Sequence, residues 1–510
     1  MPIEIAGTTV INDSRNIVNV NNFGNSDTVY TGNGANITGI EAGSASFTAS
    51  GAISNGRAVH INSNGTVSVP TVSNVEPPTF GSETIVDSGS TQYIRGTFDS
   101  TNGKVVITYQ DGSNSSYGSA IVGTVSGTSI TFGDESVFND GGVVSYVDVT
   151  YIGNDKVVVV YRDNGNSNKG TAIVGTISGN SISFGSETVF NTAAANYNSV
   201  TYIGNDKVVI AFTDTGNSSQ GYAIVGTVSG TSISFGTKTR FETGTAIEIT
   251  AIYDSSNSRV VIAYEDNSNS SYGTAVVGTV SGTSISFGTP VVFNSGTTYD
   301  IGATYESSNG KAVIIYRDAA VSPNRGTAII GTVSGTSISF GSEATYNNAL
   351  TSQMTATDIQ DGRVLIAYRD AGNSNYGTAI IGTVSGTSIS FGSETVFNEA
   401  SSTFNRAIYA ANGKVVNVYR DGGNSNQLTA IVFTVSSTTI SSSNFIGIAA
   451  EAISNGSSGS VTIAGGINSS QSSLTTAKKY YVQSDGTLDI LPTTIEAGIS
   501  ISATKINVGA

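Results

Sequence analysis

The 510-residue chain contains no cysteine and no tryptophan, only two methionines and seven prolines, and a single histidine, His60. Without cysteine there is no disulfide framework, no thiol nucleophile and no Cys-based metal site. One histidine excludes a His-rich metal centre and any mechanism shared among several imidazoles. Charge is scarce as well, at 12% of residues, and its sign is acidic: 37 Asp and Glu face 22 Lys and Arg, a formal net charge of -15. That balance argues against a nucleic-acid binder, which needs a basic footprint. No run approaches eighteen apolar residues, so no membrane insertion is expected. The opening Met1-Pro2-Ile3-Glu4-Ile5-Ala6-Gly7 has neither the basic region nor the apolar core of a secretory signal.

What is abundant is glycine, with 61 copies, together with 23 Tyr and 19 Phe. The aromatic and β-branched content is that of a folded β protein and not of a disordered chain. Internal repeats settle the architecture. The segment Gly-Thr-Val-Ser-Gly-Thr-Ser-Ile-Ser-Phe-Gly recurs almost unchanged from Gly123, Gly175, Gly226, Gly278, Gly331 and Gly382, with a degenerate seventh copy from Phe433 to Phe445. An aromatic followed two residues later by Asp falls at Tyr109/Asp111, Tyr161/Asp163, Phe212/Asp214, Tyr264/Asp266, Tyr316/Asp318, Tyr368/Asp370 and Tyr419/Asp421. Successive aromatics lie 51 or 52 residues apart.

Each unit reads as four strands. In the third unit they are 199–203, 207–212, 222–228 and 232–241. The second, Lys-Val-Val-Ile-Ala-Phe, is nearly all apolar and suits a strand buried on both faces. Ser229-Gly230-Thr231 marks a tight hairpin. No segment keeps a 3.6-residue period, so almost no helix is expected. Four-stranded antiparallel units of about 50 residues in series are the signature of β-propeller blades. The fold class is therefore all-β: a seven-bladed β-propeller of four-stranded antiparallel blades, flanked by small β-rich N- and C-terminal regions. Phe80-Gly81-Ser82-Glu83-Thr84-Ile85-Val86 matches Phe184-Gly185-Ser186-Glu187-Thr188-Val189-Phe190 yet precedes the first full unit, and the last unit stops at Phe445 without that piece. The N-terminal fragment is thus expected to complete the C-terminal blade and close the ring. An open β-solenoid, the rival, gives no reason for complementary fragments at the two ends.

The domain division that follows is 1–79, 80–445 and 446–510. The two flanks resemble each other: Ala52-Ile53-Ser54-Asn55-Gly56 recurs as Ala452-Ile453-Ser454-Asn455-Gly456, and Ser63-Asn64-Gly65-Thr66-Val67 parallels Ser484-Asp485-Gly486-Thr487-Leu488. Ring closure would bring them together as one base. Residues 1–45 are too polar to bury a core alone and read as a segment needing a partner chain.

The C-terminal pattern Phe445-Ile446-Gly447-Ile448-Ala449-Ala450-Glu451, followed by Tyr480-Tyr481-Val482-Gln483-Ser484-Asp485-Gly486 and Ala503-Thr504-Lys505, resembles the end of structural proteins of marine tailed phages. The opening Gly7-Thr8-Thr9-Val10-Ile11-Asn12-Asp13-Ser14-Arg15-Asn16-Ile17 is similar to N-terminal segments of phage fibre and appendage proteins. The resemblance implies a virion component of fibre or appendage type that carries a β-propeller, joins other virion proteins through its flanks, forms a homo-oligomer in the particle and assembles in the host cytoplasm. It names no catalytic residue.

Chemistry in the repeats is sparse. Loops such as Asp163-Asn164-Gly165-Asn166-Ser167-Asn168 and Asp370-Ala371-Gly372-Asn373-Ser374-Asn375 faintly resemble the Asp-box hairpin of sialidase-like propellers, without its closing aromatic. Asp, Asn, Ser and Gly also bond their own backbone in tight turns, which is the plainer reading. Calcium is the sharper one, but each loop offers one reliable carboxylate. Arg162, Arg317, Arg369 and Arg420 share one repeat position and read as structural surface residues. No catalytic residue, metal ligand or cofactor is assigned, and the chain is read as no enzyme.

Strands and hairpins barely change between units, whereas the connections 139–146, 191–197, 242–247, 294–299, 347–353 and 398–404 do. They read as variable loops on one face, the layout of a recognition surface. At their ends stand Tyr93, Tyr146, Tyr197, Ile247, Tyr299, Gln353 and Phe404. Tyr93, Tyr146, Tyr197, Tyr299 and Phe404 are the candidate ligand-binding residues, as platforms for sugar rings, with inter-blade packing as the alternative. The expected function is a phage virion appendage protein whose propeller attaches to a host-surface glycan or receptor. The alternatives are a passive capsid or tail decoration protein, and a carbohydrate-binding lectin or glycan-active enzyme.

Overall fold

The computed structural model describes residues 3–5, 8–11, 43–62, 65–69, 77–435, 445–482, 486–490 and 495–509. Among these there is no α-helix; two single 3-10 turns, Thr215–Asn217 and Ala371–Asn373, are the only helical elements. The chain divides into two compact units, one holding the repeats and one holding strands from both flanks.

In the repeat unit, sets of four strands pair antiparallel. In the third repeat the strand Lys207–Asp214 lies between Thr188–Tyr202 and Gln220–Ser229, with Val209 opposite both Thr201 and Val225. Its residues from Val208 to Asp214 are all buried, which is what its apolar run requires. Ser232–Phe235 follows through the Ser229-Gly230-Thr231 turn. The core sits between consecutive repeats. One cluster joins Val158, Val160 and Val174 of the second repeat to Val208, Ile210 and Phe212 of the third. Six further clusters join the other neighbours in the same way, including the last repeat (Val416, Val418, Leu428) to the first (Val105, Ile107, Tyr109).

The hydrogen bonds do not leave seven discrete four-stranded sheets. All 29 strands of this unit form one continuous order that closes on itself. The reason is that the expected variable loops are, at five of six places, extended strand. Thr188–Tyr202, Thr239–Asp254, Val291–Glu306, Ala344–Asp358 and Thr395–Tyr409 each begin on the third strand of one repeat and end on the second strand of the next. In Thr188–Tyr202, Ala194 still pairs with Lys169 while Ala195 already pairs with Asp214. Only 140–143 interrupts such a run, between Ser136–Asn139 and Val144–Gly153. The N-terminal piece closes the order: Thr79 and Phe80 pair with Thr434 and Phe433, and Thr84, Ile85, Asp87 and Ser90 with Ala430, Thr429, Leu428 and Gln427. The Tyr419 hydroxyl donates to Glu83 across the same junction.

The flank unit mixes both chain ends in one sheet. Ser44–Thr48, Ala58–Ile61 and Val67–Ser68 interleave with Phe445–Ala449 and Ser458–Ile463. The duplicated Ala-Ile-Ser-Asn-Gly motifs pair with each other about a local two-fold. Ile53 and Ile453 exchange both backbone hydrogen bonds at 2.8 Å, Gly56 N–H donates to Ala449 and Gly456 N–H to Ala49. A second sheet, built from Ile467–Asn468, Lys479–Val482, Leu488–Asp489, Glu496–Ser502 and Lys505–Val508, encloses Tyr480, Val482, Ala497, Ile506 and Val508. Near the N-terminus, Ile3–Ile5 pairs with Thr8–Ile11. Residues 12–42, most of the segment expected to need a partner, and 436–444, which carry the end of the seventh repeat, lie outside the described residues.

Candidate functional site

The first strand of each repeat, the inner strand whose residues line the central cavities, carries a bulge at one shared place. The register with the second strand slips between Gln92 and Arg95, Ser145 and Asp148, Asn196 and Ser199, Ile247 and Thr250, Tyr299 and Gly302, Ser352 and Thr355, and Thr403 and Arg406. The first bulged residue is in the left-handed region each time, with φ between 50° and 54°: Tyr93, Tyr146, Tyr197, Glu248, Asp300, Gln353 and Phe404. None is glycine, so each costs about 1–3 kcal/mol of backbone strain that the surrounding ladder must hold. A bulge re-aims its side chain, and all seven line one cavity of about 240 Å³.

The ring of seven has two halves. Phe404, Tyr93, Tyr146 and Tyr197 form an aromatic arc, with successive centroids 6.3, 5.4 and 5.0 Å apart. All four are half-buried, neither core nor freely exposed. Guanidinium groups back two of them, Arg162 over Tyr146 at 5.0 Å and Arg420 over Phe404 at 5.1 Å. Glu248, Asp300 and Gln353 complete the ring as a polar arc. Here the side chains bridge inner strands: Glu248 Oε2 accepts from Ile301 N–H at 3.3 Å, Asp300 Oδ1 from Gln353 N–H at 3.5 Å, and Gln353 Oε1 from Phe404 N–H at 2.9 Å. Arg317 pairs with Asp300 at 3.1 Å.

Four of the five predicted residues are therefore brought together. Tyr299 is not: the pivot in its repeat is Asp300, and Tyr299 lies one residue earlier, with Arg317 4.8 Å over its ring. The same one-residue offset puts Glu248 where Ile247 was expected. Arg162, Arg317 and Arg420, read as plain surface residues, support this mouth. The reading of the repeats missed the acidic pair, and it missed a second aromatic set. Phe98, Tyr202, Tyr253, Tyr305 and Tyr409 line a wider cavity of about 410 Å³ at the other end of the inner strands. Their spacing of one or two repeat lengths was the available signal. Several hydroxyls there are already committed to the preceding repeat's turn: Tyr305 to Ser256 at 2.6 Å, Tyr409 to Gln360 at 3.1 Å.

The Asp-x-Gly loops are turns capped by their own aspartate. Asp214, Asp370 and Asp421 accept from the N–H two residues on, at 3.1, 2.9 and 2.9 Å. In the first repeat Asp111 caps its turn in the same way, accepting from Ser113 N–H at 2.8 Å, but stands in a group of carboxylates. Asp87, Asp111 and Glu135 each place a carboxylate oxygen within 4.8 Å of the others, the one such group among the described residues that could hold a metal ion. In the third repeat the matching positions are Asn191, Asp214 and Lys238, and the lysine supplies the positive charge at 2.8 and 2.6 Å.

Burial, reinforced by Asp300 and Glu265, pushes the Glu248 carboxyl up to about 7. The folded protein then keeps this proton up to neutrality, while the unfolded chain releases it near 4.5. Stability supported by the protonated form is present below pH 4.5 and lost as pH rises through 7. Glu248→Gln is expected to stabilise the protein at pH 8, by on the order of 1–3 kcal/mol, and to leave it nearly unchanged at pH 4.5. Thermal melts at the two pH values check this; an equal shift at both would contradict it.

No protein-family model matches the sequence, and no curated protein matches it. Among solved structures, the chain is similar to the BP39L lectin from Burkholderia pseudomallei, with 8% identity over 68% of this chain and 98% of that one and a TM-score of 0.51. It is also similar to a protein of unknown function from Dyadobacter fermentans (12% identity, 71% and 100% covered, TM-score 0.43). A third is an arginine-to-alanine triple mutant of AofleA from Arthrobotrys oligospora (9% identity, 66% and 94% covered, TM-score 0.41). At 8% identity the likeness to the lectin is one of fold.

Proposed function

We propose that the repeat unit is a seven-bladed β-propeller whose aromatic mouth binds carbohydrate without transforming it. The observation that carries this reading is the split ring of strained pivots, with four contiguous aromatic rings facing two carboxylates and an amide across about 240 Å³. A sugar ring has one apolar face that stacks on aromatic side chains and a rim of hydroxyls that carboxylates and amides accept from. The cavity has room for a single sugar unit, so a chain would enter by its end. Binding rather than catalysis is favoured because the acids are already engaged: Glu248 with the backbone of the next inner strand, and Asp300 with Arg317. The likeness to a solved lectin supports the propeller reading; the sugar reading rests on the mouth.

The test is a panel of immobilised glycans, with competition by the free sugar. Saturable binding to at least one glycan class, displaced by that sugar, is expected. A folded, monodisperse protein that binds none would contradict the reading.

The flanks support a setting for this binding. On their resemblance to virion proteins of tailed phages, we propose that the propeller is displayed on a particle and meets the glycans of a host surface. Mass spectrometry of purified particles should find the chain at stoichiometric level, and its absence there would remove the setting while leaving the binding mouth untouched.

A further inference from the structure

Below the mouth, the space between the inner strands continues as a cavity of about 280 Å³. Its charges do not balance. Arg95 and Arg406 both line it, on inner strands of the first and last repeats, each two residues beyond an aromatic pivot, Tyr93 and Phe404. Burial disfavours the charge on Arg95, and Arg406 is close enough to disfavour it further. Asp148 is the one carboxylate in the lining, and it is already used: its Oδ2 accepts from Val200 N–H at 2.8 Å, and its Oδ1 lies 3.6 Å from Arg95. The Arg406 side chain forms neither a hydrogen bond nor an ion pair with any described residue, while its backbone pairs with Val418.

Two guanidinium groups against one carboxylate, in a narrow polar channel, leave one positive charge unmatched. The hydroxyls nearby suit an anion. Ser199 Oγ and Thr355 Oγ1 accept from the N–H groups of Ala251 and Ala407, which leaves each O–H free to donate inward. Arg95 also lines the mouth, so the two cavities are joined by this side chain.

We propose that the channel between Arg95 and Arg406 receives an anionic group of the ligand, and that the glycan class is therefore acidic: a sugar bearing a carboxylate or a sulfate ester, its ring against the aromatic arc and its anion below. This deepens the reading of the mouth and rests on it. The acidic arc does not forbid such a ligand. Asp300 is neutralised by Arg317, and both acids stand across the ring from the two arginines, which lie on the aromatic side. A guanidinium meets a carboxylate or sulfate through paired N–H donors, a geometry that an uncharged amide cannot reproduce.

The experiment titrates the 510-residue chain and its Arg406→Gln variant with oligogalacturonate, with the neutral galactose oligomer of equal length, and with inorganic sulfate. Oligogalacturonate is expected to bind the wild type at least tenfold more tightly than the neutral oligomer, and Arg406→Gln should remove that advantage without weakening the neutral oligomer. Folding of the variant is checked by its melting temperature, which should hold or rise because the repulsion with Arg95 is relieved. Neutral binding with no uronate preference would overturn this proposal and leave the mouth reading standing. Sulfate protection lost in Arg406→Gln, without a uronate preference, would assign the channel to a free anion and overturn the acidic-glycan claim. Failure of both oligomers to bind would overturn this proposal, and the mouth reading falls with it only if the glycan panel is empty as well.

Discussion

Replacing Thr79 and Thr434 with cysteine is expected to give a disulfide that forms spontaneously in air and stabilises the protein by about 3–5 kcal/mol. The two residues are direct partners in the antiparallel pair that joins the N-terminal piece to the last repeat. The chain has no native cysteine, so a single new crosslink can be read without ambiguity by mobility and thiol counting. The bond would tie together positions 355 residues apart, counted from 79 to 434, and loops of that length lose the most chain entropy when closed. The stabilisation depends on the strands being paired beforehand. If the N-terminal piece does not complete the last repeat, the sulfurs are held apart and no intramolecular bond forms. Crosslinking between chains instead would place that strand on a neighbouring molecule.

Gly236→Val is expected to cost about 3 kcal/mol or more, enough to lower the melting temperature by several degrees. Phe235-Gly236 belongs to the most constant stretch of the repeat, and the structure gives the reason. A Cβ on Gly236 would lie 1.9 Å from the carbonyl oxygen of Thr283, in the hairpin of the next repeat. Gly81, Gly133, Gly185, Gly288 and Gly341 face the same approach to the following turn. Gly230, in the hairpin itself, is a control with a different origin. Its φ is +61° and nothing lies within 4 Å of its added Cβ. Gly230→Ala therefore meets only backbone strain, about 1 kcal/mol. Denaturant melts of the two variants compare them; equal costs would mean that repeats do not pack through this glycine.

Most of the strand plan was legible because the same physical problem is solved seven times. The apolar run Lys207 to Phe212, the Ser-Gly-Thr turn and the complementary fragment at Phe80 each report one local requirement: burial on both faces, a tight reversal, a missing edge partner. The site was only half legible. A bulge shifts which residue faces the cavity by a single position, and nothing in residue type marks it. Where the pivot is aromatic, as at Tyr93 or Tyr197, the spacing finds it. Where Tyr299 precedes Asp300, the aromatic draws the eye to the wrong residue. Five of the six connections were misread as loops because they vary, yet variation there reflects side chains on an extended strand that only changes partners. Charge matching across the channel was out of reach as well, since Arg95 and Arg406 are 311 positions apart in sequence, counted from 95 to 406, and meet only because the ring closes.

The central claim is that the pivot ring is a binding surface and not merely a seam between repeats. Single Tyr146→Ala, Tyr197→Ala and Phe404→Ala variants, each measured for binding of the best glycan and for melting temperature, test it most directly. The account predicts about a fivefold loss of affinity or more in each, the stacking of one aromatic being worth about 1 kcal/mol, with melting temperatures that do not follow the order of the losses. Affinity that stays at the wild-type value, or that falls only in step with stability, would contradict it.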